Sequence, residues 1–439
     1  MKDSETLRPV RLIILNPGHF HATLVLKTSY PQVSPEVHVF APDGPEAVDH
    51  VQRVEGFNRR KQDPTRWRQE VCKGPDYLER MLRRRPGNVV VVAGNNRRKT
   101  QYINESVQSG LNVLSDKPMC VSHEAWKVLE MAFSTAEEKG LLIYDIMTER
   151  FEITTILQRE LAQCPHVIGA PVGGDSRDPG IVKDSVHHLF KEVAGQTLIR
   201  PEWYFDVEQQ GEGIVDVSTH LVDLVFWQGF PGEAVDRSRI QVLAARHWPT
   251  VLSREQYGQI TGKKDFAPFL RKNLDRDGRL AYFCNGEILL RVDDLHARIS
   301  VAWDFEAPRG GGDTHFSVIR GTRAHLCILQ GKEQGYRPEL TIRPAPGADA
   351  GLLERGLRRF IEEISDRYPG LALEPWESGW QVSIPDRYRD GHEAHFGEVT
   401  SKYLGFLESG SMPQWEITNM ISKYYVTTRA LEMARADSS

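Results

Sequence analysis

Short apolar runs alternate with amphipathic stretches over the first third of the chain. Val10–Leu15, Val37–Ala41 and Val89–Ala93 are apolar enough for buried strands, and the last is four valines and an alanine. Strands that alternate with helices of about 10–15 residues are typical of βαβ units around a parallel sheet. We therefore expect a doubly wound domain over residues 1–150. Its other predicted elements are His21–Tyr30, Pro75–Arg85, Lys99–Ser109, Asn112–Leu114, Ser122–Lys139 and Leu141–Ile146.

The pattern changes beyond residue 150, where shorter alternating runs are separated by turn residues such as Asn285-Gly286. This pattern predicts an α+β domain over residues 151–439, built on a large and mostly antiparallel sheet with helices at its C-terminal end. The predicted fold class is therefore α/β, with a Rossmann-type parallel sheet first and the α+β domain second. The expected strands are 240–244, 280–284, 287–292, 297–305, 314–320, 324–329 and 340–343, and the expected helices are 152–163, 214–228, 351–368 and 392 onwards.

Composition excludes several classes of partner. The chain has 439 residues and a formal net charge of -5, which gives no electrostatic case for nucleic acid or an anionic membrane. No apolar run is long enough to span a bilayer. The five cysteines are scattered without a C-x-x-C pair, which indicates a reducing compartment. Residues 1–8 lack an apolar signal core, which favours the cytoplasm, although prior removal of a signal peptide would leave a periplasmic origin open.

The turn after the first strand occupies the place of a dinucleotide-binding glycine motif. It reads Asn16-Pro17-Gly18-His19-Phe20-His21, and of the three glycines only the middle one, Gly18, is present. That glycine is the one that lets backbone approach a pyrophosphate. Asn16 replaces the first and tolerates the left-handed region. The alternative is a strand–helix turn without a ligand. The candidate cofactor contacts here are Asn16, Gly18, His19, Phe20 and His21.

Asp43 follows the second strand, about 25 residues past Gly18. An acid there can bond the ribose hydroxyls and would repel a 2′-phosphate, so NAD is favoured over NADP. The alternative is an ordinary turn aspartate between two prolines.

Three further polar segments follow predicted strands. Asp116-Lys117-Pro118 is the most informative, because the proline favours an extended Lys117 at a strand end. A lysine there can orient a hydroxyl or exchange a proton with it. The alternative is a surface turn with a solvated lysine. Parallel strands present their carboxyl ends at one edge, so these segments should converge there. The candidates at these strand ends are Gly94, Asn95, Asn96, Arg97, Asp116, Lys117 and Arg150.

The second domain carries a carboxylate and an imidazole four residues apart, Asp216 and His220. On a helix they share one face, and His220 suits proton transfer near neutral pH. The alternative is a helix cap and a core histidine. Gly211 and Gly213 predict a flexible loop before them.

Further candidates for contact with substrate are Lys183, His188, Trp203 and Tyr204, although core packing is an equal alternative for the two aromatic residues. His392 and His395 would need a third ligand to bind a metal, so we expect no metal.

The Asp116-Lys117-Pro118 segment, the degenerate glycine loop and the Asp216/His220 pair together resemble the Gfo/Idh/MocA oxidoreductases. Members typically carry Glu-Lys-Pro, so Asp116 is a conservative departure. The resemblance implies a two-domain oxidoreductase in which Lys117 orients a substrate hydroxyl, Asp216 positions it and His220 takes its proton as hydride passes to nicotinamide. It also implies a homodimer or homotetramer. The segments 17–21, 94–99 and 392–396 resemble a longer branch linked to bacterial carbohydrate utilisation.

The function expected from these observations is an NAD-dependent oxidoreductase acting on a secondary hydroxyl of a small carbohydrate, such as the C3 hydroxyl of a glycoside. One alternative is a glycosidase-like or lyase-like enzyme that retains NAD and oxidises its substrate transiently. A second alternative is a sugar or nucleotide sensor without catalysis.

Overall fold

A computed structural model describes residues 9–193 and 196–437, which form two compact units. The first contains the described residues up to Thr148 together with Gly391–Tyr424. The second contains Glu149–Asp390 and continues from Tyr425. The sequence predicted a single boundary near residue 150, with all C-terminal helices in the second domain. In the structure the chain returns to the first unit after Asp390.

The first unit is built on a six-stranded parallel sheet with the strand order β3-β2-β1-β4-β5-β6. This is the order of a doubly wound dinucleotide-binding sheet, with its switch point between β1 and β4. The strands are β1 (Leu12–Leu15), β2 (Glu36–Ala41), β3 (Arg68–Lys73), β4 (Val89–Val92), β5 (Asn112–Asp116) and β6 (Ile143–Ile146). The helices are α1 (His21–Leu24), α2 (Pro45–Arg59), α3 (Tyr77–Arg84), α4 (Lys99–Gln108) and α5 (His123–Lys139).

Burial explains which of these elements the sequence revealed. The β4 valines are all buried between β1 and β5, so their apolar run predicts a strand. The edge strand β3 is mostly exposed and polar, and it was missed together with α2.

Helix α1 is shorter than predicted, because it ends at Leu24 and not at Tyr30. Side chains from elsewhere bind the backbone carbonyls that follow the helix. Trp67 Nε1 donates to the carbonyl of Leu26 (2.6 Å), and Arg60 donates to that of Lys27 (2.7 Å). These bonds replace those that a continued helix would make.

The segment that returns to the first unit contains α11 (His392–Ser409) and the beginning of α12 (Gln414–Asp437). The ring of Tyr403 stacks on that of Tyr144 with centroids 5.9 Å apart. Lys423 Nζ lies 2.6 Å from a carboxylate oxygen of Asp145, and their side chains are 0% and 2% exposed. A buried ion pair and aromatic packing therefore attach the end of the chain to β6.

The second unit has a nine-stranded sheet with the order β10-β11-β12-β7-β13-β14-β15-β17-β16. The β12–β7 pair is parallel and the other pairs are antiparallel, which confirms the predicted class. The strands are β7 (Ile181–Phe190), β8 (Glu192–Val193), β9 (Gln196–Thr197), β10 (Ile240–Leu252), β11 (Leu280–Val292), β12 (Leu295–Glu306), β13 (Thr314–Arg320), β14 (Ala324–Gln330), β15 (Glu339–Pro344), β16 (Ala372–Trp376) and β17 (Gly379–Ser383); β8 and β9 form a separate pair. The helices are α6 (Ile153–Ala162), α7 (Pro165–Ile168), α8 (Ser218–Gly229), α9 (Arg254–Thr261) and α10 (Ala350–Glu363).

The predicted turn at Asn285-Gly286 is wrong, because both residues lie inside the continuous strand β11. Asn285 donates to the carbonyl of Trp248 (3.0 Å) and to Thr250 Oγ1 (3.0 Å), across an irregularity in the pairing of β10. A side chain on Gly286 would meet Ile214 at 2.8 Å. Asn285 therefore lies at an irregularity of the strand pairing, and Gly286 lies where another segment comes close to the strand. Glycine inside a strand is typical of both situations, as well as of turns.

Within the described ranges, no helix combines the length and apolar character needed to cross a membrane.

The Asp145–Lys423 pair yields a stability prediction. Asp145→Ala removes the carboxylate partner of a fully buried ammonium, which should lower the free energy of unfolding by about 3–5 kcal/mol in urea denaturation. Asp49→Ala is the control, because Asp49 pairs with Arg53 on the exposed surface of α2 and its loss should cost less than about 1 kcal/mol.

Adding Lys423→Met to Asp145→Ala should recover much of the lost stability, since no buried charge then remains. Equal losses in the Asp145 and Asp49 variants would contradict the structural role of the pair.

Candidate functional site

The loops that follow β1 and β4 are in direct backbone contact at the carboxyl edge of the parallel sheet. A Cβ built on Gly94 would lie 2.4 Å from the carbonyl oxygen of Asn16 and 2.7 Å from the amide nitrogen of Gly18. Only glycine permits this approach. The two polar strand ends that the sequence placed at one edge are therefore adjacent.

The loop after β1 departs from a glycine-rich phosphate cradle. Asn16 adopts a φ of 48°, as predicted for the residue that replaces the first glycine. The amides of Gly18 and His19 both donate to the carbonyl of Ala93, at 3.2 and 3.4 Å. Helix α1 has only four residues, so its dipole contributes less to the binding of a phosphate than that of a long helix would. The loop therefore still brings its backbone close to the end of β4. Two of the amides that would bind a phosphate in a glycine-rich loop, those of Gly18 and His19, already donate to Ala93.

His21 and Asp116 bring the end of β5 to the same place. His21 Nδ1 lies 3.0 Å from Asp116 Oδ2, and the side chains are 12% and 6% exposed. The rings of His19 and His21 have centroids 4.0 Å apart. Burial alone would raise the pKa of Asp116, but His21 and Lys99 outweigh it and hold that pKa well below its usual range. The structure thus joins two imidazoles and one ionised carboxylate.

Lys99 and Lys117 differ in their surroundings. Lys99 is fully buried on α4, and its ammonium donates to the carbonyls of Asp116 (3.0 Å) and Lys117 (3.4 Å). Lys117 is partly exposed just beyond β5. Lys99 therefore fixes the backbone that presents Lys117.

The remaining candidates of the first unit lie near the ends of β1, β2 and β4. Phe20 packs against His19 and His21, with centroids 4.6 Å from each. Asp43 is exposed between β2 and α2. Asn95 accepts the amide of Arg97 at 3.0 Å, while Asn96 is buried and Arg97 is exposed. The exposed side chains of Asp43 and Arg97 are accessible to a ligand.

Arg150, also predicted to contact the cofactor, lies in the second unit and is engaged there. Its guanidinium forms a buried bidentate pair with Asp223 on α8, at 2.6 and 2.7 Å. Such a pair fully orients the guanidinium, which favours a structural role.

Asp216 and His220 do not both lie on the predicted helix. Helix α8 begins at Ser218, so Asp216 belongs to the turns before it. The amide of Gln210 donates to Asp216 Oδ2 at 3.0 Å, and Asp216 is buried. His220 lies in the first turn of α8 and is partly exposed.

The expected flexible loop at Gly211 and Gly213 is wrong for Gly213. A Cβ on Gly213 would overlap the carbonyl of Cys284, and its amide donates to the carbonyl of Phe283 at 3.1 Å. This glycine is needed for tight packing on β11. Gly211 has a φ of 93° and supplies the turn.

Lys183, on the central strand β7, belongs to a buried network of polar side chains. Its ammonium donates to Ser317 Oγ (2.9 Å), and that hydroxyl contacts Gln158 Oε1 (3.2 Å). Gln228 also donates to Gln158 Oε1 (3.0 Å). Burial lowers the pKa of Lys183 from 10.5 to about 7. Burial therefore favours the neutral amine of Lys183 more than a surface position would.

His188 occupies a different environment from Lys183, because side chains alternate along a strand and the two residues lie on opposite faces of β7. His188 Nδ1 lies 3.0 Å from Asp313 Oδ1, and His187 and Lys191 contact the same carboxylate. Lining residues of a surface cavity of about 530 Å³ include His188, Lys191 and Asp313. The structure does not place Lys183 and His188 in one pocket.

Trp203 and Tyr204, which the sequence grouped as substrate contacts, lie in different environments. Tyr204 is buried against Phe205 and Tyr282, with centroids 5.5 and 6.1 Å away, and Arg200 lies over its ring. It is a core aromatic residue and is not available to stack on a sugar. Trp203 is partly exposed.

Several polar residues at these sites were missed in the sequence, namely Lys99, Gln158, Gln228, Asp313 and Ser317. Each acquires its role through a partner far away along the chain, so no local spacing could reveal it. The clearest sequence signal was Asp313, an acid between a triple glycine and a strand.

Comparison with known proteins supports an oxidoreductase. Residues 157–435 match the family described as "Putative oxidoreductase C terminal domain". A crystal structure of a putative oxidoreductase from Parabacteroides merdae is 50% identical, covers 98% of both chains and has a TM-score of 0.96. None of the curated proteins compared with the chain matches it.

Two more distant structures share the fold. A 3-ketoreductase from Actinomadura kijaniata, in complex with NADP and TDP-benzene, is 12% identical over 95% of this chain and 96% of that one, with a TM-score of 0.58. A levoglucosan dehydrogenase, in complex with NADH and L-sorbose, is 10% identical over 98% of both chains, with a TM-score of 0.62. At these identities the likeness shows the fold alone.

Lys183 yields a pH prediction. Its pKa is near 7 in the folded protein and near 10.5 when unfolded, so the unfolded chain binds more protons between these values. Stability should therefore rise with pH from about 7 to 10, by up to about 1.4 kcal/mol per pH unit from this group.

In Lys183→Met this contribution disappears. The difference between wild type and variant, measured by urea denaturation at several pH values, isolates it from other titrations. Parallel stability curves for the two proteins would show that Lys183 stays charged in the folded state.

Proposed function

We propose that this chain, which belongs to the putative oxidoreductase C-terminal domain family, is an NAD-dependent oxidoreductase acting on a secondary hydroxyl of a sugar or glycoside. Family membership and the 50% identical relative support the oxidoreductase class. The complexes of two fold relatives, one with NADP and one with NADH and L-sorbose, support a nicotinamide cofactor and a carbohydrate substrate class.

The observation that carries the proposal is the meeting of three strand ends at the switch point of the parallel sheet. Gly94 allows the loops after β1 and β4 to touch, and the His21–Asp116 contact adds the end of β5. Dinucleotides bind in this crevice in doubly wound sheets. The residues fit a dinucleotide through the backbone of Asn16 and Gly18, which the bare Cα of Gly94 lets lie at the edge of the sheet, and through the exposed carboxylate of Asp43 after β2.

We assign the dinucleotide to the loops after β1, β2 and β4. Asn16 and Gly18 supply backbone at the switch point, and Asp43 is placed for ribose hydroxyls. When bound, nicotinamide supplies the hydride acceptor. The protein's part is to orient the donor carbon and to manage its proton.

Lys117 and His220 are assigned separate tasks. Lys117 is assigned to hold the reacting hydroxyl, and the Lys99 ammonium fixes the backbone on which Lys117 stands. His220 accepts the hydroxyl proton, which turns the alcohol into a carbonyl as hydride leaves. Asp216, held by Gln210, is assigned to position the substrate.

The direct test follows NADH absorbance with a panel of polyols, sugars and glycosides, together with analysis of the products. His220→Ala should lower kcat by roughly 10²–10⁴ while nucleotide binding, measured by calorimetry, is retained. His296→Gln, a partly exposed histidine at the start of β12, is the matched control and should keep full activity.

Glycoside cleavage without net NADH would favour a retained cofactor and transient oxidation. Nucleotide binding without turnover of any compound in the panel would overturn the dehydrogenase assignment.

Cofactor choice gives a separate prediction. Asp43→Ser removes a carboxylate that would repel a 2′-phosphate, so the ratio of kcat/KM for NAD over that for NADP should fall at least about tenfold. Asp49→Ser on α2 is the control and should leave the ratio unchanged. An unchanged ratio in Asp43→Ser would place the determinant elsewhere.

A further inference from the structure

We propose that His19, His21 and Asp116 form a binding site for a divalent first-row transition-metal ion, with Zn²⁺ as the default occupant. Two imidazoles and one carboxylate are a common ligand set for such ions. This proposal does not rest on the proposed function, since it concerns binding of the metal alone.

The geometry brings the three side chains together from two strand ends. One ligand atom from each residue lies within 4.8 Å of the other two, and in the described part of the chain no other three His, Cys, Asp or Glu side chains form such a group. His21 Nδ1 and Asp116 Oδ2 are 3.0 Å apart. Two ligands of a tetrahedral zinc ion are roughly 3.3 Å apart when their bonds are about 2.0 Å long. This pair therefore already has the spacing of one edge of a coordination shell.

The surroundings support an ordered site. The Lys99 ammonium donates to the Asp116 carbonyl, and the ring centroids of Phe20 and Phe396 each lie 4.6 Å from that of His21. Apolar walls limit water and strengthen electrostatic attraction for a cation. The site thus combines a fixed carboxylate with packed imidazoles.

Helix α11 of the same unit adds another imidazole. The ring centroid of His392 lies 6.1 Å from that of His21. His392 and His395 lacked a third ligand in the sequence, and the structure supplies a histidine–aspartate group beside His392. Three protein ligands would leave a coordination position open, as in catalytic zinc sites, and His392 or an exogenous oxygen can fill it.

This assignment changes the predicted roles of three residues. His19, His21 and Asp116 would hold the metal and not contact the dinucleotide directly. Asn16, Gly18, Asp43 and the loop 94–97 remain for the nucleotide.

The test uses the full chain without an affinity tag, stripped with EDTA and dialysed. Zn²⁺ is titrated by calorimetry, and Co²⁺ by its visible d–d absorption, which reports coordination geometry. One equivalent should bind. His21→Ala and Asp116→Asn should each weaken binding by on the order of a hundredfold or more. His38→Gln is the control, because His38 pairs with the exposed Glu70 at the sheet edge and its loss should not change affinity.

Circular dichroism and thermal melting verify that the variants are folded. If His21→Ala or Asp116→Asn fails to fold, His19→Gln, at a partly exposed position, replaces it with the same expected loss. Absence of binding to wild type, or equal affinity in wild type and the folded ligand variants, overturns the proposal. Nucleotide binding is measured separately in EDTA, so failure of the metal site and failure of the proposed function are distinguishable.

Discussion

The candidate site depends on the absence of a side chain at one position, Gly94. Backbone atoms of the loop after β1 occupy the space that a Cβ at this position would need. Because β4 lies between β1 and β5, that loop must pass close to the end of β4 for His21 to reach Asp116. A larger residue at position 94 would displace the loop and separate the polar groups that now meet.

Much of the fold could be predicted from the sequence wherever burial leaves a regular pattern. The valines of β4 are buried on both faces, so composition alone identifies the strand. The central strand β7 is equally regular in the structure, yet Lys183, Ser185 and His188 interrupt its apolar pattern and it was missed. Its polar residues are compensated by Ser317 and Asp313, which are far away in the sequence. No local pattern records such compensation.

The site could be predicted in part for the same reason. Parallel topology requires the polar strand ends to share an edge, so the sequence predicted that they converge there, and the observed strand order makes the ends of β1, β4 and β5 neighbours. What local spacing cannot show is which polar residues are engaged by the fold. Arg150 forms an ion pair with Asp223, and Tyr204 is packed in the core. Lys99, by contrast, contributes to the site because its ammonium donates to the backbone carbonyl of Asp116.

The ion pair between Asp145 and Lys423 has a consequence for biosynthesis. The parallel sheet is complete in sequence by Ile146, but α11 and the beginning of α12, which pack against its last strand, are translated at the end of the chain. Domains generally fold in the order in which they leave the ribosome. Here Asp145 on β6 is synthesised long before Lys423, its buried partner on α12. A chain that stops early therefore loses part of the unit that was made first.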